Sequence, residues 1–220
     1  MRLVYLLLKK ELTLELRRKA VISGITLYLF CLVFICYLTF SLRQGSINEA
    51  TWSALFWLVI LFSVVNSVAK SFIGEKKGLS IYYYAVASPS AIILSKILYN
   101  TLLCFLLSSA GYLLFSVFIG APVTDAGYFW LTMALTSWGF AASLSLISGI
   151  ASKSGNSNIL MAVLSFPVVI AILLMAIRAT KNILDGLERS VSSDELLNLL
   201  ATNCILTALA YVLFPYIWRS

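Results

Sequence analysis

The chain has 220 residues, 61% of them hydrophobic and only 11% charged, with a mean hydropathy of +0.97. An ordinary soluble domain carries about 25% charged residues, so this composition excludes a water-soluble globule and describes an integral membrane protein. The net charge of +7 is an excess of the kind nucleic-acid binding uses, but in a membrane chain its division between loops is what informs, because Lys and Arg mark the cytoplasmic side.

A hydrocarbon layer of about 30 Å needs about 20 apolar residues per crossing at about 1.5 Å each. Residues 2–19, RLVYLLLKKELTLELRRK, are too short and too charged to cross. Tyr5, Leu8, Leu12 and Leu16 recur at helical spacing, which predicts an interfacial helix with Arg17, Arg18 and Lys19 near anionic headgroups. A plain positive anchor for the first span is a compatible alternative. The RRK run takes the place of a small-residue cleavage site, so the N-terminus is expected to be retained.

Six apolar runs follow, at Val21 to Leu42, Ala50 to Phe72, Ala91 to Ile119, Tyr128 to Ala151, Ile159 to Ile177 and Leu196 to Trp218. They are too long and too evenly apolar for barrel strands, and backbone groups in lipid must bond within their own segment. The expected fold class is therefore an all-α membrane protein with six transmembrane helices, forming one domain over residues 1–220. Pro167 and Pro215 mark expected kinks in the fifth and sixth spans. Arg2, Lys9, Lys10, Arg17, Arg18, Lys19, Lys70, Lys76, Lys77, Lys96, Lys153 and Arg219, twelve of the sixteen basic residues, fall to one side if both termini are cytoplasmic. The other side receives Arg43, Arg178, Lys181 and Arg189.

Of the connections, RQGSINE and GAPVTDAG are short turns on the outer side, and SKSGNSN is a polar turn on the inner side. Residues 178–194 are the one sizeable external loop, in which Ile183, Leu184, Leu187 and Val191 would line a short surface helix. Ser192 and Glu195 match a capping box opening the last span. A lid or connector, or a docking point for an outward partner, are the roles such a loop suggests.

The second connection, GEKKGLSIYYYAVASP from Gly74 to Pro89, breaks the apolar pattern with charge, glycine and three tyrosines. Over residues 74–87 it predicts a short cytoplasmic helix: Leu79, Tyr82, Tyr83 and Val86 fall at i, i+3, i+4 and i+7 and form an apolar and aromatic face. Gly74 and Gly78 permit a sharp turn out of the second span. Ser88 is placed to cap the third span and Pro89 to begin it. Such an element serves either interfacial packing or insertion into a cytoplasmic partner.

The chemistry that is missing narrows the function. The chain contains no histidine, and so lacks the commonest general base, metal ligand and haem axial ligand. It has no G-x-x-x-x-G-K-[ST] loop, so nucleotide hydrolysis belongs to a partner. The span assignments put no ionisable residue near mid-membrane; Lys70 and Lys96 sit near span ends, where they can snorkel, which argues against an ion-coupled carrier. No catalytic or metal-binding residue is assigned. Asn66, Asn100, Thr101 and the many serines can hydrogen-bond between helices or line a path, and interhelical glue is the favoured reading. Cys31, Cys36, Cys104 and Cys204 fall within spans and read as small buried hydrophobes.

An N-terminal interfacial helix, six spans with both ends inside, and GEKKG between spans two and three resemble the type-2 exporter family of ABC permeases. Within it, the length, the LLLKKELTLELRRK start, the YYYAVASPSAIILSKILYN run and the lack of a fused nucleotide-binding domain resemble the CcmB family, the haem exporter protein B family of cytochrome c maturation. The resemblance covers the full chain. It implies an inner-membrane subunit, present as a homodimer, that pairs with the ATPase CcmA, associates with CcmC and CcmD, and serves haem delivery to the chaperone CcmE. ATP and Mg would be bound on the partner subunit, and haem would be cargo with no resident cofactor in this chain. It further implies that residues 74–87 are a coupling helix in which Glu75, Lys76, Gly78, Leu79, Tyr82 and Tyr83 contact the ATPase. A type-2 permease for another cargo and a non-transport scaffold subunit are the alternatives.

Overall fold

The computed structural model describes residues 2–17, 19–41, 47–68, 88–120, 122–153, 157–187 and 189–219. These form seven helices: α1 (Arg2–Arg17), α2 (Lys19–Ser41), α3 (Glu49–Val68), α4 (Pro89–Phe118), α5 (Ala126–Ala151), α6 (Ser157–Leu184) and α7 (Arg189–Arg219). The described residues contain no strand. The six helices from α2 onward are long and apolar enough to cross a membrane, so the expected class and span count hold. The helices antiparallel to one another place the starts of α2, α4 and α6 and the ends of α3, α5 and α7 at one end of the bundle, called here the terminal end because it carries α1 and the end of α7.

Each expected span has its helix, and two of them differ in extent. The fifth continues past Ile177 to Leu184, and the sixth begins at Arg189, seven residues before Leu196. Residues 178–194 are therefore mostly helical and not a long loop. Ser192 lies inside the first turns of α7, 2% exposed, so the expected Ser192 and Glu195 capping box does not start that helix. Ile183 and Leu184 are buried at the end of α6 instead of lining a surface helix with Leu187 and Val191. Polar residues misled the span boundary: Arg178, Lys181 and Asp185 continue helical periodicity beyond the apolar run, and Lys181 pairs with Asp185 across one turn at 3.6 Å.

The α6–α7 connection is closed by Gly186, whose φ of +67° is in the left-handed region. Gly186 N donates to the Ile183 carbonyl at 3.2 Å and Leu187 N to the Asn182 carbonyl at 3.1 Å, the paired bonds of a Schellman cap. Gly120 performs a related service after α4, with φ +98° and its carbonyl accepting from Trp52 Nε1 at 3.0 Å.

Central to the bundle is α5, of whose span 78% is buried, against 11% for α2. Its sequence explains the position: Gly139, Ala141, Ala142, Ser143, Ser145, Ser148 and Gly149 are small, and small residues let neighbouring helices approach where lipid supplies no hydrophobic drive. Around α5 pack α4, α6 and α7, while α3 fills the gap between α4 and α6 and α2 lies outside α3 and α4. Hydroxyl groups of Thr132, Ser143 and Ser152 fold back onto their own helix carbonyls, which satisfies them without a partner helix. Both α6 and α7 run through their prolines, Pro167 and Pro215.

Bulky aromatics are concentrated toward the end opposite the termini. Trp52, Phe56, Trp57, Phe115 and Phe129 are almost wholly buried there, with Trp52 stacked on Phe56 at 5.3 Å and Phe115 edge-on to Phe56 at 5.5 Å. Trp57 Nε1 donates to Thr180 Oγ1 at 2.8 Å, tying α3 to α6. Of the cysteines, Cys104 is buried as expected, whereas Cys31 and Cys204 point out of the bundle and Cys36 is half-buried. An outward-facing thiol on a membrane span meets lipid, so burial in protein is not needed to keep it from water.

Candidate functional site

All six residues expected to contact an ATPase, Glu75, Lys76, Gly78, Leu79, Tyr82 and Tyr83, lie outside the described residues, as does the rest of 69–87. The described structure shows what that segment leads into. Ser88 occupies the N-cap of α4 with extended backbone (φ −69°, ψ 141°), and Pro89 follows as the first helical residue, as the sequence predicts. The Ser88 carbonyl accepts from Ala91 N and Ile92 N, but its side chain makes no cap hydrogen bond. The helix therefore starts on the fixed φ of proline more than on the serine hydroxyl.

Immediately beyond, α4 is gripped by three elements. Ile92, Ile93 and Ile97 pack with Ala142 and Leu146 of α5 and with Ala210, Phe214 and Trp218 of α7, and Leu7 of α1 closes over them. Lys96 is 3% exposed and its ammonium lies 3.9 Å from Glu11 Oε1 of α1. The expectation that Lys96 snorkels is corrected: α1 covers this face of α4, so the ammonium is enclosed and meets a carboxylate instead of water. Glu11 also accepts from Lys10 at 3.1 Å and is thereby shared between two cations.

One turn further into the bundle, Asn100 Nδ2 donates to Ser145 Oγ at 2.7 Å and joins α4 to α5. At the same end, Lys153 Nζ donates to the Trp218 carbonyl at 3.2 Å and sits 5.9 Å above its indole, fixing the end of α5 to the end of α7. Of Asn66, Asn100 and Thr101, only Asn100 is shown bridging two helices. Thr101 bonds the Ile97 carbonyl of its own helix, and Asn66 is exposed on α3.

Sequence reasoning missed two constellations. The first is a mid-bundle seam between α5 and α7: Asn203 Nδ2 donates to the Leu135 carbonyl at 2.8 Å and Trp138 Nε1 to Thr207 Oγ1 at 3.1 Å. Gly139 lets the Asn203 amide in, since a Cβ there would lie 2.5 Å from Asn203 Oδ1. The second sits at the opposite end. Asp125 caps α5, accepting from Gly127 N at 3.1 Å and Tyr128 N at 3.3 Å, and receives Arg189 Nε of α7 at 2.8 Å. The Tyr128 N–H first, and then the Arg189 guanidinium, hold the Asp125 carboxyl below its ordinary value. Arg189 also stacks over the Tyr128 ring at 5.2 Å, beside a small cavity of about 200 Å³ to which Thr124, Ile183 and Ser192 contribute. An aspartate directly ahead of an apolar helix was the available signal for the cap; no spacing rule announces Arg189 as its partner from 64 residues away.

Among the described residues no group of three or more His, Cys, Asp or Glu is placed to hold a metal ion. What the arrangement offers is mechanical: the start of α4, where residues 69–88 deliver the chain, is joined to α1, α5 and α7 within two turns. A displacement applied there reaches four helices at once.

Comparison with known proteins places the chain in a family. The family model described as CcmB protein matches residues 2–215, whereas no curated protein and no solved structure matches significantly. A match of that extent leaves only the first residue and the last five outside it, and it reaches every helix of the bundle, stopping four residues short of the end of α7. The chain belongs to the CcmB family and is a multi-pass permease subunit, the membrane component of the haem-export ABC transporter in cytochrome c maturation.

Proposed function

We propose that this subunit converts ATP hydrolysis on the partner CcmA into movement of its own bundle, and that the work is spent on haem transfer or on release of the haem-loaded chaperone CcmE. The observation that carries the proposal is the family match over residues 2–215. The junction of α1, α4, α5 and α7 beside residues 69–88 supports it, because a rigid contact at that place transmits motion into the bundle. Residues 74–87 act as the coupling helix, with Glu75, Lys76, Gly78, Leu79, Tyr82 and Tyr83 in the CcmA contact. ATP and Mg are bound on CcmA, and haem is cargo of the assembly, carried through this chain or delivered on the chaperone whose release it drives. The absence of histidine favours release of the loaded chaperone over passage of haem through this chain, since no strong axial ligand is offered.

The subunit works as a homodimer in the inner membrane, with both termini cytoplasmic and with CcmC and CcmD in the same assembly. Twelve of sixteen basic residues fall on the cytoplasmic side in that orientation, in line with the positive-inside rule. Affinity purification of the tagged chain in mild detergent with mass spectrometry tests the assembly: CcmA, CcmC and CcmD are the expected companions, and an ATPase accompanied only by unrelated export proteins would discard the haem assignment. Glu75→Lys combined with Leu79→Ala, Tyr82→Ala and Tyr83→Ala is expected to abolish CcmA recovery while the purified bundle keeps its melting temperature. Undiminished recovery would reject the coupling assignment.

A further inference from the structure

Basic residues are scarce at the end of the bundle opposite the termini, and those described there are Arg178, Lys181 and Arg189. Arg189 is engaged by Asp125 at 2.8 Å, and Lys181 lies 3.6 Å from Asp185. Arg178 is exposed and, among the described residues, makes no hydrogen bond or ion pair. A guanidinium carries five donors in a planar fork, so an exposed one with no partner among the described residues is open to an acceptor from outside the chain.

Its depth identifies the surroundings. On the outward face of α6, Ile159, Val163, Phe166 and Leu174 are 50–68% exposed, recurring at intervals that make one lipid-facing stripe. Arg178 and Lys181 continue the same stripe. From Ile159 to Arg178 the helix rises about 28 Å, close to the roughly 30 Å of a hydrocarbon layer. A separate helix gives the same level: Trp130 of α5, 39% exposed and in ring contact with Tyr112 at 6.0 Å, lies about 31 Å from the α5 end at Ala151. An exposed tryptophan beside a half-buried tyrosine at that height marks a membrane interface. Arg178 thus stands where apolar stripe ends and headgroups begin.

We propose that Arg178, with Lys181 one turn further on, binds the phosphate of an anionic phospholipid whose acyl chains lie along Phe166 and Leu174. Charge balance selects an anionic lipid over a zwitterionic one: Lys181 with Asp185 is neutral, so the patch carries one net positive charge, and a single phosphodiester without an ammonium neutralises it. The planar fork of Arg178 suits two phosphate oxygens at once.

The test uses the full-length chain purified in dodecyl maltoside and then exposed to phosphatidylglycerol, phosphatidylcholine or inorganic phosphate, read by native mass spectrometry and by the melting temperature. The wild type is expected to retain phosphatidylglycerol about tenfold better than phosphatidylcholine, and Arg178→Gln to lose about that factor. Lys181→Gln, which frees Asp185 beside the site, is expected to weaken retention as well. Both positions are exposed, so the variants fold, and an unshifted elution volume checks this. Equal retention of the two lipids, or undiminished retention by Arg178→Gln, overturns the proposal. A melting-temperature rise as large with inorganic phosphate as with the lipid also overturns it, because the site would then be for a free anion.

Discussion

Replacing Gly139 by alanine inserts one methyl group at the centre of the bundle. That carbon would lie 2.5 Å from Asn203 Oδ1 and 3.3 Å from two carbons of Ile172. Asn203 is fully buried, so its amide has no free space to rotate into and the bond from Nδ2 to the Leu135 carbonyl is lost. Overpacking costs about 1–3 kcal/mol, and an interhelical hydrogen bond in a membrane protein contributes about 0.6 kcal/mol, with an upper range near 1.7. Alanine regains about 1 kcal/mol of helix propensity over glycine. The net loss is about 1–3 kcal/mol, which for a chain of this size lowers the melting temperature by roughly 3–10 °C. The assay is thermal unfolding in detergent, run as a double-mutant cycle with Asn203→Ala. In the Asn203→Ala background the clash with the amide oxygen is gone and only the 3.3 Å approach to Ile172 remains against the propensity gain, so Gly139→Ala costs much less there. An equal loss in both backgrounds would refute the claim that Gly139 exists to admit the Asn203 amide.

The Asp125 cap makes a pH prediction whose sign follows from its depressed folded pKa. Its contribution is fully present above the ordinary value of 3.8 and is lost as pH falls through the lower folded value; Asp125→Asn should therefore flatten the part of the stability profile below about pH 4 that the wild type shows. At the other end, Glu11→Gln leaves the Lys96 ammonium buried without that carboxylate and is expected to cost about 2–3 kcal/mol, less than a fully buried pair because Glu11 keeps 18% side-chain exposure. Lys96→Met leaves Glu11 with Lys10 at 3.1 Å and should cost less; the reverse order, measured by thermal unfolding, would contradict the burial argument. Thr180→Val keeps the side-chain volume but removes the acceptor of the Trp57 indole N–H, which is then buried unpaired, with an expected loss of about 1–3 kcal/mol. No change in melting would show that this α3–α6 tie is energetically silent.

The spans were legible because lipid allows few backbone solutions, so hydropathy alone located α2 to α5 within a few residues at every described end. The boundaries of α6 and α7 were not, since Arg178, Lys181 and Ser192 are polar yet helical, and an apolar-run rule stops at the first of them. Pro89 announced the start of α4 by its own backbone chemistry. The Glu11–Lys96 contact, the Asn203–Leu135 bond and the Asp125–Arg189 bridge were beyond reach, because each joins helices far apart in the chain whose neighbours are set by tertiary packing, not by local pattern. The candidate coupling residues are visible in the sequence as an interruption and as a resemblance; their geometry lies outside the described residues.

The Schellman turn at Gly186 bears on how this protein is made as well as on how it stands. With only Asp185 to residue 188 between α6 and α7, and the cap bonds already joining residues 182 and 187, the connection has no slack. So short a connection favours entry of the last two spans into the bilayer together as a helical hairpin. For the same reason an axial slip of α6 drags α7 with it, and the pair behaves in any later motion as one lever rather than two.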